Sequence, residues 1–174
     1  MRERVPRCAE DRGWTLFHAA SVALDDVGVL LVGGAGAGKT TVALELAAHR
    51  AARLVAADRA AITCDGEQVV GIPLSYRVAS GTAAALPPHT GLHPGRLAAA
   101  GGFGGGRKAS FTPVALAAAL RTGVRESAPL RLMVLPRLSD DDRPPAATRL
   151  DLARALAAPA AACCTPDDED WLQS

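Results

Sequence analysis

The stretch that decides the fold is Val27 to Arg50, VGVLLVGGAGAGKTTVALELAAHR. It opens with a β-branched and leucine run, Val29 to Val32, suited to a buried strand. Apolar residues then recur at helical spacing from Thr40 to His49, among them Val42, Ala43, Leu46 and Ala47. Between the two lies Gly33-Gly34-Ala35-Gly36-Ala37-Gly38-Lys39-Thr40, which fits the phosphate-loop (Walker A) pattern GxxxxGK[ST]. Glycines let backbone N–H groups converge on phosphate oxygens. A lysine can reach the β and γ oxygens, and a threonine hydroxyl can face Mg²⁺. Strand, loop and helix in this order make residues 33–40, with Thr41 beyond them, the expected polyphosphate site. Only two of the nineteen basic residues are lysines, and one of them, Lys39, stands where a compact ammonium is wanted.

Length and charge bound the rest. A chain of 174 residues suits one domain that buries about two-thirds or more of its unfolded surface. Residues 1–13 and 165–174 are expected to fray at its ends. The nineteen basic and eighteen acidic residues generate no field that would recruit nucleic acid or an anionic membrane, so neither is expected as a partner. Apolar runs are short or interrupted, and MRERVPRCAEDRGW has no signal-peptide core, so a cytoplasmic protein is expected. Cys8, Cys64, Cys163 and Cys164 lack metal-ligand spacing and read as reduced thiols.

Outward from the loop, residues 14–24 read as a strand. Asp25-Asp26 is a turn, which predicts a hairpin ahead of the phosphate loop. Arg53 to Ala57 reads as a second buried strand ending at Asp58, and Ala60–Cys64 and Gln68–Ile72 flank the hairpin signal Asp65-Gly66. Residues 87–110, with glycines clustered from Gly101 to Gly106 around Phe103, predict a mobile loop. Thr112-Pro113 predicts a helix with Thr112 as N-cap, running through Leu120. Leu130 to Leu135 reads as a strand, Asp140 to Pro145 as a solvated turn, and Thr148 to Ala157 as a last helix. The class expected is α/β, a mixed sheet with a β-rich front half.

From His18 to Val78 the chain resembles the catalytic domain of HPr kinase/phosphorylase and its smaller relatives of biosynthetic clusters. The resemblance rests on His18 upstream of the loop, on the loop and helix TTVALELAAHR, on Arg53-Leu54-Val55-Ala56-Ala57-Asp58, on the Asp65-Gly66 hairpin and on Ile72-Pro73-Leu74. It implies an HPr kinase-like P-loop domain that binds ATP and Mg²⁺ and moves the γ-phosphate to a hydroxyl. The acceptor would be a serine of a peptide or small carrier protein, or a small-metabolite alcohol; a homo-oligomer is compatible with it.

One departure changes the expected chemistry. The family ends its strand in two aspartates, the first implied as base, and here that position is Ala57. Asp58 stays as metal ligand with Thr40, and His18 becomes the candidate base, an imidazole being suited to proton transfer near neutrality. Arg107, with Lys108, follows the glycine cluster and would serve as a cation for the transferred phosphate; the competing reading is a flexible solvated loop. Arg77 reads mainly as a surface or ion-paired residue. A competing class is a nucleotide-binding regulatory module that has lost transfer along with the first aspartate. An NTPase acting on water is less attractive, because no glutamate is evident beside Asp58.

Overall fold

Antiparallel strands β2 (Ala19–Leu24) and β3 (Val27–Val32) are joined at Asp25, whose φ of 53° makes the tight turn. This hairpin is the centre of the computed structural model, which describes residues 11–50, 52–93, 108–137 and 146–151. β3 runs through the glycine loop into α1 (Lys39–Arg50), and the chain returns as β4 (Arg53–Ala56) on the far side of β2. The predicted hairpin, loop and helix are therefore present in the order read from the sequence.

Alternation along these strands builds two apolar layers, because successive strand side chains point to opposite faces. Ala20, Val22, Val29, Leu31 and Leu54 face α1, where Ala43, Leu44 and Ala47 complete a core cluster. Ala19, Ala23, Leu30, Val32, Val55 and Ala56 face the other way, onto Phe17, Ala60, Val69 and Ala128. Both faces of β2 and β3 are thus covered, which is why they read as nearly continuous apolar runs. Ser21, fully buried between them, donates its hydroxyl to the Val29 carbonyl at 2.9 Å.

The strand expected over residues 14–24 is divided. β1 (Thr15–Phe17) pairs with β5 (Ala60–Ile62), whereas β2 pairs with β3 and β4, and His18 sits at the break where the chain changes partners. β5 and β6 (Gln68–Gly71) form the second expected hairpin, with Gly66 at φ 74° and Asp65 accepting from the Thr63 hydroxyl. β9 (Ser127–Val134) begins three residues before the predicted strand. Pro129 disguised its start, yet it is paired, opposite Gln68 of β6, while the later residues run parallel to β3. The result is a mixed seven-stranded sheet in the order β1-β5-β6-β9-β3-β2-β4.

The sheet curls back on itself. Leu54 of β4 bridges Val124 in parallel, with its N–H donating to Gly123 and its carbonyl accepting from Arg125, so β4 meets the segment that feeds β9. At the same place Gly71 donates to the Glu126 carbonyl at 2.8 Å, and a Cβ on Gly71 would fall onto the carbonyl oxygen of Val55. Val55 is the unpaired residue of a bulge in the β2–β4 ladder.

β7 (Tyr76–Ala79) and β8 (Lys108–Phe111) form a separate two-stranded ribbon, followed by α2 (Ser80–Ala85) after β7 and α3 (Pro113–Leu120) after β8. The α3 boundaries match those read from the sequence: Thr112 accepts from the Ala115 N–H, and Arg121 ends the helix in the left-handed region. Residues 87–110 are only partly the loop expected. Thr90 and Leu92 are buried and the Gly91 N–H donates to Ala119, because this stretch packs over α3, while Lys108–Ser110 belong to β8. The glycine cluster and Arg107 lie outside the described residues, as do the expected turn over 140–145, residues 1–10 of the segment 1–13 expected to fray, the segment 165–174 expected to fray, and residues 152–157 of the expected last helix. Residues 148–151 are described and are not helical. No helix among the described residues is long and apolar enough to cross a membrane.

Candidate functional site

Three strand ends meet at one edge of the sheet because β2 lies between β3 and β4. Ala19, the first residue of β2, pairs with Val32, the last of β3, and its N–H donates to the Asp58 carbonyl beyond β4 at 3.2 Å. His18 before β2, Gly33 after β3 and Asp58 after β4 are therefore neighbours in space, though up to forty residues apart in sequence. This convergence follows from strand register alone.

The loop from Gly33 folds inward before α1 begins. The Ala37 N–H donates to Gly34 at 3.3 Å, the chain turns left-handed at Gly36 and Gly38, and the Val42 N–H reaches the Gly38 carbonyl at 2.9 Å as the helix starts. Lys39 extends back along the loop, and its ammonium donates to the carbonyls of Gly33 at 2.7 Å and Gly34 at 2.9 Å. Only 7% of Lys39 is exposed, so burial lowers its pKa below the ordinary lysine value, with the Asp58 charge acting in the opposite direction. A buried cation with backbone N–H groups at a helix start is the electrostatic equipment a polyphosphate requires.

His18 and Asp58 form an ion-pair contact, Nε2 to Oδ1 at 3.0 Å, with both side chains about half exposed. The Asp58 carboxyl lies below the usual carboxylate range. The bond to His18 is the main cause, partial burial opposes it, and the His18, Arg59 and Lys39 charges add smaller downward pulls. Being ionised at neutral pH, Asp58 only accepts, so His18 Nε2 carries the shared hydrogen and any lone pair of the neutral ring lies on Nδ1.

Of the residues expected at the site, the structure thus gathers Gly33, Gly34, Lys39, Asp58 and His18. Ala35 and Gly36 sit on the exposed crest of the loop, while Ala37, Gly38 and Thr40 are half-buried. Thr41 is committed sideways, its hydroxyl 2.9 Å from that of Thr82 in α2. Arg77 is exposed on β7 opposite Ser110, and Lys108 is exposed on β8 opposite Ala79. Lys108 is therefore held by strand pairing and not carried on a loop. Ala57, where the resemblance expects a carboxylate, is 8% exposed and packs in the helix-side core.

Among the described residues no three His, Cys, Asp or Glu side chains come together as a metal cage. Mg²⁺ delivered with a polyphosphate needs only one or two protein oxygens, a donor set that the Thr40 hydroxyl and the Asp58 carboxylate fit. Two features were missed by sequence reading. Thr82 carries no local signal, since its partner is 41 residues away, whereas Glu45 and His49, an ion pair of 2.8 Å, were foreshadowed by their i, i+4 spacing on α1. No protein-family model matches the chain, and no curated protein matches it.

Proposed function

We propose that this chain is an HPr kinase-like P-loop phosphotransferase that takes the γ-phosphate of ATP, with Mg²⁺, to a hydroxyl on a peptide, a small carrier protein or a small alcohol. The observation that carries this reading is the convergence of Lys39, Asp58 and His18 at one sheet edge, where a phosphate-loop sequence leads into α1. In this role Lys39 leaves its loop carbonyls for phosphate oxygens. Thr40 and Asp58 hold the magnesium, which when bound neutralises charge on the phosphates. His18, oriented by Asp58 through Nε2, accepts the proton of the attacking hydroxyl on Nδ1. Positioning and charge neutralisation dominate the loose transition state of phosphoryl transfer, so a histidine in place of an aspartate is a workable base.

The buried Ala57 favours a second reading, a nucleotide-binding regulatory module without transfer chemistry. The two readings separate in one experiment: purified protein, Mg²⁺ and γ-labelled ATP are incubated with serine-bearing peptides and alcohols. Label should pass to an acceptor, Lys39→Ala should abolish nucleotide binding, and His18→Ala should slow transfer about 10²- to 10⁴-fold with ATP affinity nearly unchanged. Tight binding without transfer selects the regulatory module. Unchanged ATP affinity in Lys39→Ala overturns both readings.

A further inference from the structure

His18 combines a fixed ring with an open lone pair. Its Nε2–H is directed onto the Asp58 carboxylate at 3.0 Å, its Nδ1 makes no hydrogen bond among the described residues, and 44% of its side chain is exposed. Strand register sets the residue beside the phosphate loop: Ala19 pairs with Val32, so His18 and Gly33 are the next residues beyond two neighbouring strands, which run about 5 Å apart. Gly33 accepts from the Lys39 ammonium at 2.7 Å, and Lys39 and Asp58 each feel the other's charge. Imidazole, carboxylate and ammonium thus form one cluster at the loop. We propose that His18 is phosphorylated by the bound nucleoside triphosphate and that Nδ1-phosphohistidine carries the phosphoryl group to the acceptor; the inference rests on the kinase reading above and divides its transfer into two steps.

In the first step the Nδ1 lone pair forms the N–P bond while the bond from the γ-phosphorus to the bridging oxygen breaks, and that electron pair leaves with the nucleoside diphosphate. Nε2 keeps its proton, so the ring becomes cationic, and Asp58 is the counter-charge already in place. In the second step the acceptor oxygen bonds to phosphorus and the N–P electron pair returns to Nδ1. The hydroxyl proton moves to that nitrogen and then to water. Two observations favour this route. It needs no second base at the acceptor, and position 57, where the resemblance expects one, is a buried alanine. Of the hydroxyls at the loop, Thr40 is assigned to magnesium and Thr41 is committed to Thr82, so His18 is the nucleophile left at the cluster.

The test is a rapid-quench incubation of the full chain with Mg²⁺ and γ-labelled ATP, without acceptor. We expect up to one labelled phosphoryl group per chain, mapped by mass spectrometry to the peptide holding His18, lost in acid and retained in alkali as an N–P bond is. ADP added to the isolated phosphoprotein should take the label back as ATP. The serine-bearing peptides and alcohols that accept label from ATP should also take it from the phosphoprotein. His18→Gln should lose the label on the chain entirely while binding tripolyphosphate as the wild type does, which also verifies its fold. Label that reaches an acceptor without residing on the chain, or that resides there and cannot be passed on, overturns the intermediate and leaves direct transfer with His18 as base. Acid-stable label, or label surviving in His18→Gln, overturns it too. ATP that binds while label moves nowhere overturns it together with the transfer reading, and failure to bind ATP removes the phosphate-loop reading itself, each a separate result.

Discussion

Lys39 holds two opposed demands in one side chain. Carbonyl oxygens and Asp58 favour its charge, while burial disfavours it more strongly, so its pKa is lowered from 10.5. A polyphosphate must find the ammonium protonated. Its affinity should therefore be constant near neutrality and fall as pH rises through the lowered Lys39 value, starting below the pH at which an ordinary lysine titrates. Titrations of tripolyphosphate between pH 8 and 10 check this, with Lys39→Arg as a control that stays charged throughout. A flat profile for the wild type would show that Lys39 does not contact the ligand. For stability the sign is opposite: the unfolded chain binds the proton more readily, so the cost of burying Lys39 charged diminishes as pH rises toward 10.5. At this scale the sequence was informative where chemistry is local. Lys39 and Asp58 could be singled out from the loop and the strand end, but the bond between His18 and Asp58 bridges forty residues and only strand pairing creates it.

The ribbon of β7 and β8 contributes Tyr76 to the helix-side core at 2% exposure, and its hydroxyl has no hydrogen-bond partner among the described residues. Burial pushes this phenol up to about 12. The unfolded tyrosine ionises near 10 and the folded one near 12, so stability should fall as pH rises above 10, by at most about 3 kcal/mol. Tyr76→Phe should remove that alkaline loss and leave neutral-pH stability equal or raised by about 1 kcal/mol, because an unsatisfied buried hydroxyl disappears. Urea unfolding of both proteins at pH 7 and 10.5 measures the two effects. Elements were legible in proportion to how locally they are determined. α3 could be bounded by its Thr112 cap and Pro113, and two hairpins by their turn residues. The start of β9 could not, because Pro129 breaks the local pattern and only the partner strand restores it. Lys108–Phe111 escaped for the same reason, as a short strand whose definition comes from β7.

For the molecule as a whole, the closure between β4, β6 and the approach to β9 depends on there being no side chain at Gly71. Gly71→Ala should push Val55 and the bulge outward and lower stability by about 1–3 kcal/mol, an overpacking penalty at a backbone contact. Thermal melts of the variant test this, and an unchanged melting temperature would mean that the curl is not a tight contact. The mixed sheet itself was anticipated only as a class, since pattern does not tell which strand lies beside which. The curl also decides when the molecule can be assembled during synthesis. β3 is bordered by β2 and β9, and the outer edge of β4 bonds to residues 123–125, so nascent chains that end before residue 123 leave both β3 and β4 with open edges. Such chains carry the whole phosphate loop and α1 but should be protease-sensitive and sticky while still on the ribosome, with protection arriving abruptly once β9 has emerged from the exit tunnel. Pulse proteolysis of stalled nascent chains of increasing length would locate that step.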